Sequence, residues 1–208
     1  MARINRAVSV DEIYKKKFIE MPFDGVWQDF IGVPERSGVW FVWGNSGNGK
    51  TSFMLQLGKY LTNFGRVAYD TLEEGARKSM QMAIKRANML EVSRRFVILN
   101  REPINELKER LRKRKSPDII IIDSYQYTGL TKREYIELKE EFSNKLFIFV
   151  SHADGKQPEG RGAKFVRYDA DVKIRIEGYK AFPVSRYGGG EPYIIWQEGA
   201  DNYYAEIK

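Results

Sequence analysis

The chain contains no cysteine and only one histidine, His152, among its 208 residues. Without thiols it can form neither disulfides nor thiolate metal sites, and a single imidazole excludes zinc centres built on several histidines. No apolar run approaches the roughly 18 to 20 residues of a membrane-spanning helix, and the N-terminus lacks the apolar stretch and cleavage site of a secretory signal. We therefore expect a cytoplasmic protein with no membrane partner.

Positive charge is in excess, since 35 Lys and Arg against 28 Asp and Glu give a formal net charge of +7. This balance favours polyanionic partners such as nucleic acid or nucleotides. The alternative is a basic protein whose charge serves only solubility. With 42% hydrophobic and 13% aromatic residues, the chain can bury a sizeable core, and its length suits one domain.

Apolar strands alternate with amphipathic helices from Gly38 onward. Helices are predicted after the glycine-rich segment through Leu61, around residues 80–87, from Pro103, and from Thr131, which forms a capping box with Glu134. The predicted strands lie at residues 39–43, 66–71, 96–99, 119–122 and 146–150. Wholly apolar strands that alternate with helices favour a parallel sheet covered on both faces.

The two ends of the chain differ from this central part. Ser9 and Glu12 have capping-box spacing, which predicts a short basic helix over residues 10–18. We assign this helix to an N-terminal extension, residues 1–24, ahead of a core at residues 25–208. Residues 153–168 are rich in glycine and basic side chains and are predicted to form a mobile loop. Short antiparallel strands are predicted beyond it, at residues 172–176, 181–186, 192–196 and 203–207.

The glycine-rich segment has the pattern of a phosphate-binding P-loop. Its residues are Gly44, Asn45, Ser46, Gly47, Asn48, Gly49, Lys50 and Thr51. The glycines let backbone N–H groups point at phosphate oxygens, Lys50 would reach the β- and γ-phosphates, and the Thr51 hydroxyl would bind Mg²⁺. A glycine-rich turn that contains Lys-Thr by chance is the alternative, but the preceding strand and following helix favour nucleotide binding.

Three carboxylates are expected at the same edge of the sheet. Asp123 ends an apolar strand, where it would hold Mg²⁺ through water or merely cap the next turn. Glu73 and Glu74 follow the strand at residues 66–71. Either would orient the attacking water as a base, with Glu73 the first choice, or the pair would simply begin a helix.

Taken together, these motifs resemble the ATPase core of the RecA superfamily, nearest the branch that contains RadA (Sms), DnaB and KaiC. Beyond the P-loop, the likeness is carried by residues 69–90, 121–126, 151–172 and 185–188. It covers about residues 25–197, and the size is similar to that of core-only recombination ATPases of phages and mobile elements. One departure is Val184, which stands where the last motif of the family has lysine.

This resemblance implies a RecA-like fold, with a mostly parallel sheet flanked by helices and C-terminal antiparallel strands. It implies ATP with Mg²⁺ at the P-loop, Lys50 in catalysis, and assembly into a ring or filament. Arg186 matches an arginine that reaches the γ-phosphate of a neighbouring subunit, although a surface arginine on a turn remains the alternative. His152 would sense the γ-phosphate, or would only satisfy hydrogen bonds at a strand end.

The resemblance also implies that two segments contact DNA, one after each of the strands that end near Asp123 and His152. The candidate residues combine basic groups for phosphates with tyrosines for base stacking. They are Tyr125, Tyr127, Lys132, Arg133, Lys156, Arg161, Lys164 and Arg167. The alternative is two solvated loops on a basic protein.

The sequence therefore predicts an ATP hydrolase that assembles on single-stranded DNA in recombination, annealing or strand transfer. A different class of function stays open, namely a nucleotide-gated interaction module, such as a helicase loader, that hydrolyses little ATP. In that case the basic run at residues 108–115 would be a docking face. A kinase is a third option, which the lack of an arginine-rich lid after the P-loop helix disfavours.

Overall fold

The structure, a computed structural model, describes residues 6–206. The α-helices of this part are α1 (Val10–Lys15), α2 (Gly25–Ile31), α3 (Lys50–Leu61), α4 (Lys78–Arg86), α5 (Ile104–Leu111), α6 (Lys132–Glu141), α7 (Arg161–Asp169) and α8 (Gln197–Glu206). The strands are β1 (Gly38–Gly44), β2 (Val67–Thr71), β3 (Phe96–Leu99), β4 (Ile119–Asp123), β5 (Leu146–Asp154), β6 (Gln157–Pro158), β7 (Val172–Glu177), β8 (Lys180–Ser185) and β9 (Tyr193–Ile194). Within residues 6–206, no helix has the length and apolar character needed to cross a membrane.

The strands form one sheet in the order β3-β2-β4-β5-β1-β7-β8-β9, with the short β6 paired to β5. The first six strands of this order are mutually parallel, whereas β8 and β9 run antiparallel. Five strands begin in register, at Phe96, Val67, Ile119, Leu146 and Gly38. Their amino ends therefore share one edge of the sheet, the amino edge, and the opposite edge is the carboxyl edge. This confirms the fold class expected from the sequence.

Helices cover both faces of the sheet. Each central strand contributes side chains to both of the resulting cores, because side chains on successive strand positions point to opposite faces. On β4, Ile119 and Ile121 pack in one core with residues of α2, α3 and α4. Ile120 and Ile122 pack in a second core with residues of α5, α6 and α7. The apolar run of β4 thus reflects a strand buried on both sides, as predicted.

Both predicted capping boxes are confirmed, Ser9 with Glu12 at α1 and Thr131 with Glu134 at α6. Helix α1 has no buried residue, whereas Met21 and Phe23 lie in the first core. Residues 1–5 of the predicted extension lie outside the described residues. The proposed boundary between residues 24 and 25 stays a prediction.

Two predictions of local structure are wrong. The segment 153–168 is not an irregular loop but the end of β5, the strand β6 and most of α7. Ala163 and Val166, three residues apart, are buried on the inner side of α7, which gives that helix a core-facing side.

The predicted strand at residues 203–207 is also wrong, because this segment lies in α8 through Glu206; Ile207 lies outside the described residues. Close packing fixes the start of α8: a Cβ at Gly199 would lie 2.2 Å from Cε3 of Trp196. The predicted strand at residues 192–196 shortens to Tyr193–Ile194.

Candidate functional site

The glycine-rich segment connects β1 to α3 in the conformation that its glycines require. Gly47 and Gly49 have φ angles of 77° and 94°, in the left-handed region that other residues avoid. Lys50 Nζ donates to the carbonyls of Gly44 and Asn45 at 2.8 and 3.0 Å. Burial lowers the pKa of Lys50, and the nearby carboxylates of Asp123 and Glu73 oppose this effect. The ammonium group therefore lies inside the loop, where it would meet phosphate oxygens.

Two contacts hold this loop against strand β7 and the turn after it. A Cβ at Gly44 would lie 2.4 Å from the carbonyl oxygen of Ile176, so only glycine permits this approach. Asn48 Oδ1 accepts a hydrogen bond from the Gly178 N–H at 2.7 Å, and its Nδ2 donates to Ser46 O at 3.1 Å. The Asn48 side chain thus tethers the loop from outside, a role that the sequence pattern did not reveal.

Asp123 ends β4 beside the P-loop, where its carboxylate accepts a hydrogen bond from the Tyr69 hydroxyl. Burial raises the pKa of Asp123, opposed by the Tyr69 hydrogen bond and the charge of Lys50. Tyr69 is fully buried, burial raises its pKa well above the ordinary value, and its hydroxyl also contacts Thr51. Tyr69 therefore joins the two residues expected to hold Mg²⁺, and the sequence analysis missed it.

Thr51 and Asp123 fit a magnesium ion that is held mainly by substrate. Their oxygen atoms are the donors that Mg²⁺ prefers, and this ion usually keeps waters and takes few ligands from protein. Among residues 6–206, no group of three or more His, Cys, Asp or Glu side chains could form a metal cage. A bound ion would therefore depend on nucleotide phosphates as well as on these two residues.

Glu73 meets His152 and Ser124 at the mouth of the site. His152 Nε2 lies 2.6 Å from Glu73 Oε2, and Ser124 Oγ donates to the same oxygen at 3.2 Å. Glu74 lines the same cavity without these partners. The residue predicted to activate water, Glu73, and the residue predicted to sense the γ-phosphate, His152, therefore form one hydrogen-bonded pair.

Gln126 connects this pair to the hairpin formed by β5 and β6. Its Nε2 donates to Ser151 Oγ at 2.8 Å and to Glu159 O at 3.1 Å, while its Oε1 accepts from the His152 N–H at 3.3 Å. The Glu159 N–H in turn donates to His152 O at 3.0 Å. A change at Glu73 can therefore reach the hairpin, whose turn carries Lys156, through a continuous set of hydrogen bonds.

The P-loop opens into a cavity of about 1150 Å³. Tyr179 and Trp196 form its aromatic wall, with ring centroids 5.1 Å apart and nearly perpendicular planes. Gln56 lines the same cavity; its Nε2 donates to Ile195 O at 3.2 Å, and its buried Oε1 has no partner within the described residues. The cavity therefore combines a cationic group suited to phosphates with aromatic rings suited to a base.

The turn that carries Glu73 and Glu74 is clasped by the segment after β3. Arg101 Nη2 donates to the carbonyls of both glutamates, at 3.0 and 3.3 Å, and Asn100 Oδ1 accepts from the Ala76 N–H at 2.9 Å. Arg101 itself has a φ of 58°, which is uncommon outside glycine. No sequence motif marks this clasp, because β3 and β2 become neighbours only in the folded sheet.

The buried carboxylate of Asp70 holds the residue that follows Arg101. Asp70 has no exposed surface; its Oδ1 accepts from the Glu102 N–H at 3.1 Å, and its Oδ2 has no partner within residues 6–206. Both carboxylate oxygens of Glu102 in turn accept hydrogen bonds from Arg110, Oε1 from Nε at 2.7 Å and Oε2 from Nη2 at 2.6 Å. Burial raises the pKa of Asp70 to about 7.

Arg186 lies far from the P-loop of its own chain. It follows Ser185, which pairs with Val172 at the start of β7, and its guanidinium binds Asp171 Oδ1 at 2.9 Å with 63% of the side chain exposed. The seven-residue strand β1 separates this amino edge from Gly44, a distance of about 20 Å. The structure therefore does not bring Arg186 to the other residues that the sequence analysis predicted to be catalytic.

The residues predicted to contact DNA have different environments. Tyr125 is only 6% exposed and packs edge-on against Phe149, so its ring is not free to stack on a base. Tyr127 is 58% exposed. Arg167 packs over the Trp43 ring at 5.2 Å.

The other five predicted contacts are exposed: Lys132, Arg133, Lys156, Arg161 and Lys164. Lys132 Nζ lies 4.3 Å from the centre of the Phe165 ring, which joins the start of α6 to α7. The two predicted segments are therefore adjacent in the fold, although Arg161 and Lys164 stand on a helix rather than on a loop.

Solved structures share this architecture. The flagellar accessory protein FlaH from Methanocaldococcus jannaschii is 17% identical with a TM-score of 0.57, over 86% of this chain and 97% of that chain. A KaiC-like protein from Pyrococcus horikoshii is 17% identical with a TM-score of 0.56, over 85% and 93%. The ATPase domain of a DnaB-like helicase is 18% identical with a TM-score of 0.53, over 76% and 80%.

These structural neighbours are RecA-superfamily P-loop ATPases, so the fold that the motifs implied is confirmed. No protein-family model matches the sequence, and no curated protein matches it. The similarity establishes the RecA-like fold of the chain and not its partners, because identity below a fifth carries no information on substrate or pathway.

Asp70 should make stability depend on pH. The folded state keeps the Asp70 proton up to about pH 7, whereas the unfolded state loses it near pH 4. The free energy of unfolding should therefore fall as pH rises from 4 to 7, by up to about 1.4 kcal/mol per pH unit from this group. Denaturant unfolding of the wild type and Asp70→Asn checks this. The variant should lack this fall, and parallel profiles would contradict the assignment.

Arg101 should act as a positioning residue for Glu73. Arg101→Ala removes both hydrogen bonds to the turn, so kcat for nucleotide hydrolysis should fall by about tenfold or more, as misplacement of a catalytic group does. Nucleotide affinity should stay within about twofold, because Lys50 and the P-loop keep their contacts. Arg101→Lys should restore part of kcat by reaching one carbonyl. A matched loss of affinity and kcat would instead indicate general disruption of the cavity.

Proposed function

We propose that this chain binds ATP with Mg²⁺ at the carboxyl edge of its sheet and hydrolyses it, as one subunit of an assembly on single-stranded DNA. The observation that carries this proposal is the convergence of Lys50, Asp123 and Glu73 around one cavity. The rings of Tyr179 and Trp196, which line the same cavity, supply a place for the adenine base. We infer a cytoplasmic site of action, where ATP is plentiful.

Five residues of the cavity, Lys50, Thr51, Glu73, Asp123 and His152, have chemical roles in this proposal. Lys50 would leave its two carbonyl partners and neutralise phosphate charge, as P-loop lysines do. Glu73 is oriented by His152 and Ser124, so its carboxylate is placed to accept a proton from the attacking water. Mg²⁺, held with help from Thr51 and Asp123, would neutralise charge that develops on the phosphates.

Assembly would complete the site by adding an arginine from a second subunit. Within the described residues, the arginines that line the cavity are Arg77 and Arg86, which come from the start and the end of α4. Arg186 is exposed at the opposite edge, and its partner Asp171 holds it in place. From there it can serve only the nucleotide of another subunit. We propose that it supplies transition-state charge stabilisation across a subunit boundary in a ring or filament.

DNA would bind beside the hairpin formed by β5 and β6. Lys132, Lys156, Arg161 and Lys164 are exposed around this region and suit phosphate contacts, and we name these four residues the carboxyl-edge group. Tyr127 adds an exposed ring for stacking. The hydrogen bonds from Glu73 through His152 and Gln126 to Glu159 would couple nucleotide state to this surface. Arg167 and Tyr125 would stabilise this surface through their packing against Trp43 and Phe149.

ATP turnover should rise with single-stranded DNA and with assembly. The rate, measured at low salt with and without DNA, should increase more than linearly with protein concentration, because each complete site needs two subunits. Lys50→Ala should abolish turnover in all conditions. Tight ATP binding with negligible turnover, even at high protein concentration with DNA, would instead indicate a nucleotide-gated interaction module that recruits a partner such as a helicase.

Mixing two inactive variants should restore part of the activity if Arg186 acts across subunits. Arg186→Ala keeps its own P-loop but lacks the arginine, and Lys50→Ala supplies the arginine but has no working P-loop. Together they should form some complete sites, so the mixture should reach about a quarter of the wild-type rate if subunits exchange at random. Each variant alone should be at least about a hundredfold slower. No recovery, or full activity of Arg186→Ala alone, would exclude a shared site.

A further inference from the structure

Basic residues precede each of the five parallel strands β3, β2, β4, β5 and β1 in the chain. Their side chains precede strands whose first residues are in register, so the topology places them together on the amino edge. These residues are Arg36, Arg66, Arg94, Arg95, Lys113, Arg114, Lys115 and Lys145. We call them the amino-edge surface. In the sequence they are spread over more than a hundred positions.

Several of these cations are free to bind a partner. Arg94, Lys113, Arg114 and Lys115 are exposed, and none of the four forms a salt bridge within residues 6–206. Asp118 pairs with Arg36 of the same surface at 3.3 Å, which neutralises that one cation, and Glu141 pairs with Lys108 and Arg112 outside it. The surface therefore keeps a local excess of positive charge.

Hydrogen bonds fix the backbone that carries these groups. Arg66 Nη1 donates to Lys115 O at 3.1 Å, and Arg95 Nη1 donates to Thr62 O at 3.2 Å. Lys145 is buried and donates to Pro117 O at 2.6 Å. These three residues therefore act as supports, and the free cations beside them stand on a connected, ordered edge rather than on independent loops.

We propose that the amino-edge surface binds the phosphate backbone of nucleic acid, as a second contact surface across the sheet from the ATP cavity. The entries of β3 and β4, which carry the four free cations, lie two strands apart, or about 10 Å at about 4.8 Å per strand. Along one strand of a duplex this separation covers about three phosphates, at about 3.4 Å each. Four free cations over this length match several phosphates of a chain better than a single compact anion.

The surrounding side chains also suit phosphates. Asn63, Ser93, Ser143 and Asn144 are exposed in the segments that lead into these strands, and such amides and hydroxyls commonly donate to phosphate oxygens. Residues 93–95 and 112–118, which carry the free cations, expose no large hydrophobic side chain of the kind that a membrane-surface site inserts, although Leu90 and Val97 on either side of the first segment are exposed. The surface offers no element for reading base edges, so binding would be independent of sequence.

Distance from the cavity gives the proposal a distinctive consequence. The amino edge is about 20 Å from the P-loop along β1, and the hydrogen bonds that start at Glu73 lead instead to the β5–β6 hairpin at the carboxyl edge. Binding at the amino-edge surface should therefore not require nucleotide. This inference goes beyond the proposed ATPase activity and holds whether or not the chain hydrolyses ATP.

Two variants with equal charge test it. One carries Arg94→Ala, Lys113→Ala, Arg114→Ala and Lys115→Ala; the control carries Lys132→Ala, Lys156→Ala, Arg161→Ala and Lys164→Ala. Removing four positive charges from a net charge of +7 leaves +3 in both. Binding of a fluorescent single strand, and of a duplex of the same length, is measured without nucleotide across a salt series.

The amino-edge variant should bind at least about tenfold more weakly at low salt. Its slope of log affinity against log salt should flatten by about 2 to 3, since each lost phosphate contact contributes about 0.7 to 0.9. The control should keep most of its nucleotide-free binding. Basal ATP turnover without DNA should be unchanged in the amino-edge variant, which separates this test from that of the proposed function.

Three outcomes would overturn the proposal. They are affinity within twofold of wild type for the amino-edge variant, an equal loss in both variants, and no nucleic-acid binding by the wild-type chain. Vesicles with and without phosphatidylserine serve as a further probe. If the variant loses binding to anionic vesicles while oligonucleotide binding stays intact, the partner of this surface is a membrane.

Discussion

The register of the parallel sheet is the constraint on which the rest of the structure depends. Because five strands start in line and run in the same direction, everything that follows a strand gathers at one edge and everything that precedes a strand gathers at the other. The P-loop, Asp123, Glu73 and His152 all follow strands or end them. The basic entry residues, together with Arg186, lie at the opposite edge. One geometric rule therefore produces both a nucleotide cavity and a separate cationic row.

Within the cavity, the arrangement of charge decides which chemistry is available. Lys50 is partly buried among carbonyls and carboxylates, and Asp123 is held by the Tyr69 hydroxyl. These groups are oriented before any ligand arrives, which is the condition for electrostatic stabilisation of a transition state. The Glu73–His152 pair is linked by hydrogen bonds through Gln126 to the hairpin formed by β5 and β6. The residues proposed for hydrolysis and those proposed for signalling therefore form one hydrogen-bonded set.

The candidate site could be predicted in part because motifs are local. The P-loop residues are consecutive, and the strand preceding Asp123 is wholly apolar, so spacing alone placed them at the carboxyl edge. The sequence analysis did not predict roles for Tyr69, Arg101 and Asp70, because these roles depend on neighbours from other strands and turns. The segment 153–168 was misjudged for a related reason: its glycines and charges are typical of a loop, but Ala163 and Val166 find a buried face only once the sheet exists. Tyr125, expected to stack on bases, packs against α7 at Gly162 instead.

By itself, the sequence determined the alternation of strands and helices, both capping boxes, the phosphate-binding loop and the RecA-like fold that its motifs imply. These properties depend on residues close in the chain, where hydrogen bonding, helical periodicity and backbone freedom act directly. The tertiary structure alone decided which side chains meet across strands: Glu73 with His152, Asp123 with Tyr69, and Arg101 with the glutamate turn. It also decided that basic residues far apart in the chain form one row, because only the order and register of the strands bring the start of each strand to a common edge.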